Sequence, residues 1–328
     1  MTANRAAKKR VRARAAQTGE SYTAALRHLR ATEGAAIPMS TDTTATLRLA
    51  VAQTTPLHDP ADSRAVRARG AEIRSLMTRA HDAGARLLQL PEAALCFPSK
   101  LLLSSLPGEV AESDWTRFDW DTHDAEAAAI GEHARRLGLW TVLGAPHRPS
   151  HPPPSGRPML SLLVIDERGT LRTRYDERLL SRTKRTYMYE PGVDGVTIEI
   201  DGVTIGFLSG LEGLFGDLVS DYEAMGADLV LYSTAGPADP GAEQSLADSA
   251  AVAARQNGLW IGYAVHADKA PDAPAGVVAP DGSWVARCAQ RAEPDLVTAD
   301  VVRRPEGPGR EWRREMLALH RERTGSAT

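Results

Sequence analysis

Apolar residues along this chain repeat with two periods. Leu47-Arg-Leu-Ala-Val-Ala-Gln-Thr54 alternates or runs apolar and predicts a strand. From Asp62 to Ala83 the positions Val66, Ile73, Leu76 and Ala80 mark one helical face, and Gly84 ends the run. Arg86 to Leu90 predicts the next strand. It stops at Pro91-Glu92, which puts Glu92 at the carboxyl end of a strand, where open α/β sheets keep their sites. Leu101 to His123 is irregular, acidic and Trp-bearing. A helix is predicted from Ala125 to Leu137, and a strand from Trp140 to Ala145.

Hairpins recur in the second half. Leu160 to Ile165 and Leu171 to Tyr175 flank the turn Asp166-Glu-Arg-Gly169, and residues 176–194 read as a long polar loop. Thr197 to Ile200 and Val203 to Leu208 flank Asp201-Gly202, a two-residue turn signal. A glycine-rich bend follows, Ser209-Gly-Leu-Glu-Gly-Leu-Phe-Gly216, and then a helical run from Leu218 to Met225. Strand, tight turn and helix is a common way to hold a reactive side chain at the mouth of a sheet. Here the bend carries Gly210, which has no side chain. Strands at 226–232, 260–266, 276–279, 283–288 and 296–301, with helices at 242–257 and 311–323, complete the pattern. Strand–helix alternation followed by hairpins predicts two mixed sheets with helices outside, in one domain of about 47–305 with a C-terminal helix and tail over 306–328.

The N-terminal stretch differs. Residues 1–36 hold eight Lys or Arg against Glu20 and Glu33, a net of +6 in a chain of −3, so the remainder carries −9. The stretch predicts a basic helix–turn–helix-like extension, followed by a linker over 37–46. A solvated tail is the plainer expectation. Contact with an acidic partner, a membrane surface or nucleic acid is the sharper one. No run of 18 apolar residues predicts a membrane span. Cys96 and Cys288 form no disulfide framework and no zinc spacing, which points to a reducing cytoplasm, with no metal or cofactor expected.

Several segments, taken in order, carry a resemblance. They are Val51-Ala-Gln53, Leu88-Gln-Leu-Pro-Glu92, Gly169 with Tyr175, Glu190-Pro-Gly192, Ile205-Gly206 with Phe215 and Gly226-Ala-Asp228, Arg255-Gln-Asn257, and Pro280-Asp-Gly282. Their order resembles the nitrilase, or carbon–nitrogen hydrolase, superfamily from Leu47 to about Val301. The resemblance implies an α-β-β-α sandwich that pairs into dimers or larger homo-oligomers. It also implies chemistry in three parts: a cysteine thiolate that attacks an amide or nitrile carbon, a glutamate that moves protons, and a lysine that stabilises the oxyanion.

Carried over residue by residue, one of those parts remains. Glu92 matches the general base. Glu177, in Tyr175-Asp-Glu177, stands where the lysine is expected, and Lys184 falls near where a second glutamate is expected. The nucleophile position, by register from Ile205-Gly206, is Gly210, and Glu212 lies where the family carries an aspartate. Losing a nucleophile costs on the order of 10⁶ in turnover. Exchanging cation for anion about 4 Å from an oxyanion adds roughly twice 4 kcal/mol at an effective dielectric near 20.

The chain therefore reads as a non-catalytic homologue that binds a small polar, even cationic, molecule in a pocket given extra room at Gly210, or that serves as an assembly partner. The alternative is an amidase-like enzyme with altered chemistry around Glu92. A third possibility places function in the basic extension. Each candidate also has a plainer reading. Glu92 caps a helix or is merely exposed, and Glu177 with Lys184 forms a solvated loop pair. Glu212 and Asp217 are surface or helix-start carboxylates, and Cys96 is a small buried hydrophobe. Ser209 turns to the face opposite its neighbour. His147 and His266, at strand ends, are structural rather than metal ligands.

Overall fold

The computed structural model describes residues 45–237, 242–303 and 308–324. The extension at 1–36 and nearly all of the 37–46 linker lie outside the described residues. What is described is an α-β-β-α sandwich of two six-stranded mixed sheets.

The first sheet is built on β1 (Thr46–Gln53), β2 (Leu87–Gln89) and β3 (Trp140–His147), which run parallel. Antiparallel β4 (Met159–Ile165) and β5 (Leu171–Asp176) extend one edge. The second sheet repeats the plan. Parallel β7 (Val203–Ser209), β8 (Leu229–Ser233) and β9 (Trp260–Ala264) form its centre. β6 (Thr197–Ile200) flanks one side, and β10 (Gly276–Val278) and β11 (Trp284–Arg287) flank the other. The last strand, β12 (Asp295–Val302), crosses back and pairs antiparallel with β1.

Strand alternation sets the layers. Leu47, Leu49 and Val51 of β1 point between the sheets, where they meet Ile205, Phe207, Leu229 and Leu231. Ala50 and Ala52 point outward, under α1 (Ser63–Asp82) and α3 (Trp120–Leu137). The period of two makes this division obligatory, and small residues on the outer face let the helices approach. α1 buries Val66, Ile73, Leu76, Met77 and Ala80, which includes the whole predicted face. On the second sheet, α4 (Gly216–Ala224) and α5 (Glu243–Asn257) fill the same role, with Ala247, Ala250 and Ala254 of α5 in the core.

Two expectations need correction. The stretch 101–123 is not irregular throughout. It holds the short α2 (Lys100–Leu103), a 3-10 turn at Trp115–Arg117, and the first turn of α3, which starts at Trp120 rather than Ala125. The signal missed was Asp119, whose carboxylate caps α3 by accepting from the Thr122 amide at 3.1 Å. Likewise, residues 176–194 are not all loop, because Lys184–Met188 forms one turn of π-helix.

The Asp201-Gly202 hairpin folds as its sequence predicts. Both residues have positive φ, 50° and 80°, as a type I′ turn requires. The C-terminal α6 (Pro308–Thr324) sends Arg310, Arg313 and Arg314 to the buried Glu223 of α4 at 3.4–4.0 Å. Among the described residues, no helix is long and apolar enough to cross a membrane.

Candidate functional site

The parallel strands β2 and β7 end on the same side of the sandwich, and Gln89 ties the sheets together there. Its side-chain amide donates to the Tyr232 and Gly262 carbonyls at 2.9 and 3.1 Å and to Ser233 Oγ at 3.1 Å. Ser233 Oγ in turn donates to the Leu90 carbonyl at 2.9 Å. The turn beyond β2 is thereby fixed to the second sheet. It also presses on β3: a Cβ at Gly144 would lie 2.1 Å from the Pro91 carbonyl oxygen, so only glycine admits the turn. Ala93 takes φ 47°, a left-handed conformation rare outside glycine, and turns Glu92 inward.

Glu92 is buried and both of its carboxylate oxygens are engaged. Oε2 accepts from the Ala235 amide at 2.9 Å, and Oε1 meets the Lys184 ammonium. The Glu92 carbonyl accepts from His266 Nε2 at 2.9 Å, which leaves Nδ1 to accept from the Thr54 hydroxyl at 3.4 Å. Burial lowers the His266 pKa, so the ring stays neutral. His266 supports the turn through these two hydrogen bonds. Among the described residues, no group of His, Cys, Asp or Glu is placed to hold a metal ion.

Glu177 follows β5 and is fixed through its backbone. Its amide donates to the Leu160 carbonyl at 2.9 Å, and its carbonyl accepts from the Gly192 amide at 2.8 Å. Lys184 begins the π-turn, whose carbonyls are satisfied from outside. Ser113 N donates to the Tyr187 carbonyl at 2.9 Å, and Trp115 Nε1 to the Met188 carbonyl at 3.0 Å. Arg157 donates to the Arg185 and Thr186 carbonyls at 2.9 and 2.7 Å, while Glu112 grips its guanidinium at 2.8 and 2.6 Å. These contacts hold an otherwise rare turn.

The Lys184 ammonium sits between two carboxylates. It donates to Glu177 Oε2 at 2.8 Å, to Glu177 Oε1 at 3.1 Å, and to Glu92 Oε1. An ammonium has three protons, and three carboxylate oxygens take them. All three side chains are buried. The solvated-pair reading of Glu177 and Lys184 is therefore corrected. Burial pushes the Glu177 carboxyl up to about 8 against the pull of Lys184, with Glu92 pushing the same way. Burial also works against the Lys184 charge, but Glu177 and then Glu92 prevail and raise its pKa.

Gly210 ends β7 with φ 59°. Its amide donates to the Ser233 carbonyl at 3.0 Å, and its carbonyl accepts from the Tyr232 hydroxyl at 2.8 Å. A Cβ built there would lie 2.5 Å from Glu177 Oε1. The extra room expected at Gly210 is thus absent, because the Glu177 carboxylate fills it. Glu212 is not a surface carboxylate either. It is fully buried and accepts from Tyr175 Oη at 2.6 Å and from the amides of Arg178, Leu179 and Ser209 at 2.7, 3.0 and 2.8 Å. That clamp fastens the loop after β5 to the bend after β7, and so holds Glu177 against Gly210. Asp217 is exposed on the first turn of α4.

A cavity of about 270 Å³ opens beside the cluster, lined among others by Glu92, Lys184, Gly210, Phe97, Lys100 and His266. Cys96 and Ser209 do not line it. Cys96 packs with Leu103, Phe118, Met188 and Tyr189, and burial pushes its thiol up to about 12. Ser209 is buried, and its hydroxyl has no hydrogen-bond partner. Cys288 is also buried, its thiol pushed up to about 12 by burial. Sequence reading missed Lys100 and His266 as wall residues. His266 was flagged only as a strand-end residue, and nothing local marks Lys100.

Residues 48–307 match the family model for carbon-nitrogen hydrolases. The chain belongs to the carbon–nitrogen hydrolase family. Solved structures similar to this family member include an amidase of the nitrilase superfamily from Nesterenkonia AN1. It shares 23% identity and a TM-score of 0.64, over 84% of this chain and 97% of that one. A form of the amidase from Nesterenkonia sp. AN1 with the acetamide moiety of fluoroacetamide on its active site cysteine matches at 22% identity and a TM-score of 0.66, over 85% and 97%. The glutamine-dependent NAD+ synthetase from Acinetobacter baumannii matches at 16% identity and a TM-score of 0.62, over 80% and 48%. At these identities the likeness is one of fold. Comparison with curated protein sequences gives no match.

Two outcomes follow from the cluster. Gly210→Ala places a methyl against Glu177 and strains a left-handed residue, so it lowers stability by about 2 kcal/mol or more. In a Glu177→Ala background only the backbone cost of about 1 kcal/mol remains, which a double-mutant cycle in urea measures. The second outcome concerns pH. The folded state holds the Glu177 proton more tightly than the unfolded chain, so the stability it confers is complete below about 4.5 and is lost as pH rises through about 8. Denaturation across that window shows declining stability, and Glu177→Gln flattens the decline.

Proposed function

We propose that this chain is a non-catalytic member of the carbon–nitrogen hydrolase family whose cavity binds a small polar molecule. The observation that carries the reading is the saturated ammonium. Lys184 spends its three protons on Glu92 and Glu177, so none is directed at a substrate oxygen. Glu92, the residue matching the family's base, is held by Lys184 and the Ala235 amide. At the position where the resemblance expects a nucleophile stands Gly210, and the space a side chain would enter belongs to Glu177. Both cysteines are buried with raised thiol pKa values, and neither lines the cavity. A thiol held neutral is a poor nucleophile.

The same reading pairs the chain with a second copy. Leu214 and Phe215 beside α4, and Val252 on α5, are about half exposed. Apolar surface on the outer helices is what a homodimer through that layer would cover.

Purified protein is expected to hydrolyse acetamide, butyramide and butyronitrile no faster than buffer, and to gain no covalent adduct by intact mass. Turnover that disappears in Glu92→Gln would overturn the reading. Light scattering is expected to give twice the monomer mass, shifting toward the monomer in a Phe215→Asp/Val252→Asp variant.

A further inference from the structure

We propose that the molecule held in the cavity is a small carboxylate, and that Lys100 binds its charge. The proposal rests on the non-catalytic binding reading and adds the class of ligand.

It starts from the charges on the cavity wall. Lys184 is paired with Glu92 and Glu177. Lys269 lies 3.5 Å from Asp268. Lys100 also lines the cavity, at the start of α2, and among the described residues it forms no ion pair or hydrogen bond through its ammonium. It is only partly exposed. Its surroundings work against its charge: burial lowers its pKa first and Lys184 second, while Glu92 pulls the other way. A half-desolvated ammonium without a counter-ion gains most from an anion that brings one.

Glu177 does not cancel this surplus. It lies outside the cavity lining, and burial raises the pKa of its carboxyl against the pull of Lys184. The neutral His266 adds no charge. His58, also on the wall, donates from Nδ1 to the Phe97 carbonyl at 3.0 Å. Among the described residues of the wall, Lys100 is thus the cation that no carboxylate meets in an ion pair. An amine would face Lys100 directly, and a neutral amide would leave it uncompensated. The cationic ligand entertained from sequence does not suit this wall.

Size and apolar surface narrow the class further. About 270 Å³ is just below the roughly 300 Å³ at which small-molecule pockets begin. Pro56, Phe97, Leu211 and Pro237 supply apolar wall. A carboxylate with a short aliphatic body meets both demands: its charge goes to Lys100 and its chain to the apolar side.

The test is calorimetric titration of the full-length protein at neutral pH with butyrate, butyramide and butylammonium, compounds of matched shape and different charge. Butyrate is expected to bind at least about tenfold more tightly than either of the others. Lys100→Gln should lose that preference, and Lys100→Arg should keep it. Equal binding of all three, undetectable binding of butyrate, or an unchanged preference in Lys100→Gln overturns the proposal. The comparison within wild type stands even if a variant folds poorly. The two readings fail separately. Butyramide turnover sinks the non-catalytic reading while leaving the butyrate preference measurable, and absent butyrate binding without turnover sinks only the carboxylate.

Discussion

A single buried ammonium shared between two carboxylates governs this end of the sandwich. Taking Lys184, Glu92 and Glu177 out of water is costly for each charge, and their attraction repays it only with near-complete hydrogen bonding. Here each proton of Lys184 has an oxygen, and Glu92 has the Ala235 amide besides. One cation still cannot neutralise two anions. Burial raises the pKa of Glu177, the carboxyl whose oxygens, among the described residues, meet Lys184 and the face of Gly210.

The surrounding fold exists to bring three distant segments to that point. Glu92 arrives on a turn pinned to β3 at Gly144 and to the second sheet through Gln89 and Ser233. Glu177 arrives from β5, and Glu212 clamps its loop to the bend after β7 with four hydrogen bonds. Lys184 arrives on a π-turn that Arg157, Ser113 and Trp115 hold by its carbonyls. Most of these supports end on backbone groups, which fixes the segments that carry the three charged tips.

The layers were legible in sequence because they depend on periods. Period-two strands and the 3.6-residue face of α1 place the core without any knowledge of pairing. Glu92 was legible for a related reason: Pro91 ends a strand, and a carboxylate just beyond a strand end is conspicuous. The expectation of exchanged charge at positions 177 and 184 comes from the family resemblance alone. What stayed hidden depends on contacts across the sandwich. Nothing near Glu212 says that Tyr175, Arg178 and Leu179 will donate to it. Nothing near Lys184 announces a π-turn, because Arg157 and Glu112, which sustain it, lie far away in the chain. Lys100 looks like any lysine at a helix start until the cavity forms around it.

Gly210 shows why the departures from the family pattern belong together. A missing side chain at the end of β7 would by itself leave a void, and voids in packed interiors destabilise. The void does not occur, because Glu177 Oε1 stands 2.5 Å from where a Cβ would be. The carboxylate can stand there only because Lys184 comes from a different segment to meet it. Placing a side chain at 210 would therefore require moving Glu177, and moving Glu177 would leave Lys184 with two of its three bonds unmade. The three positions form one packed solution. The charge left over, on Lys100, lies where a bound molecule, rather than the protein, can answer it.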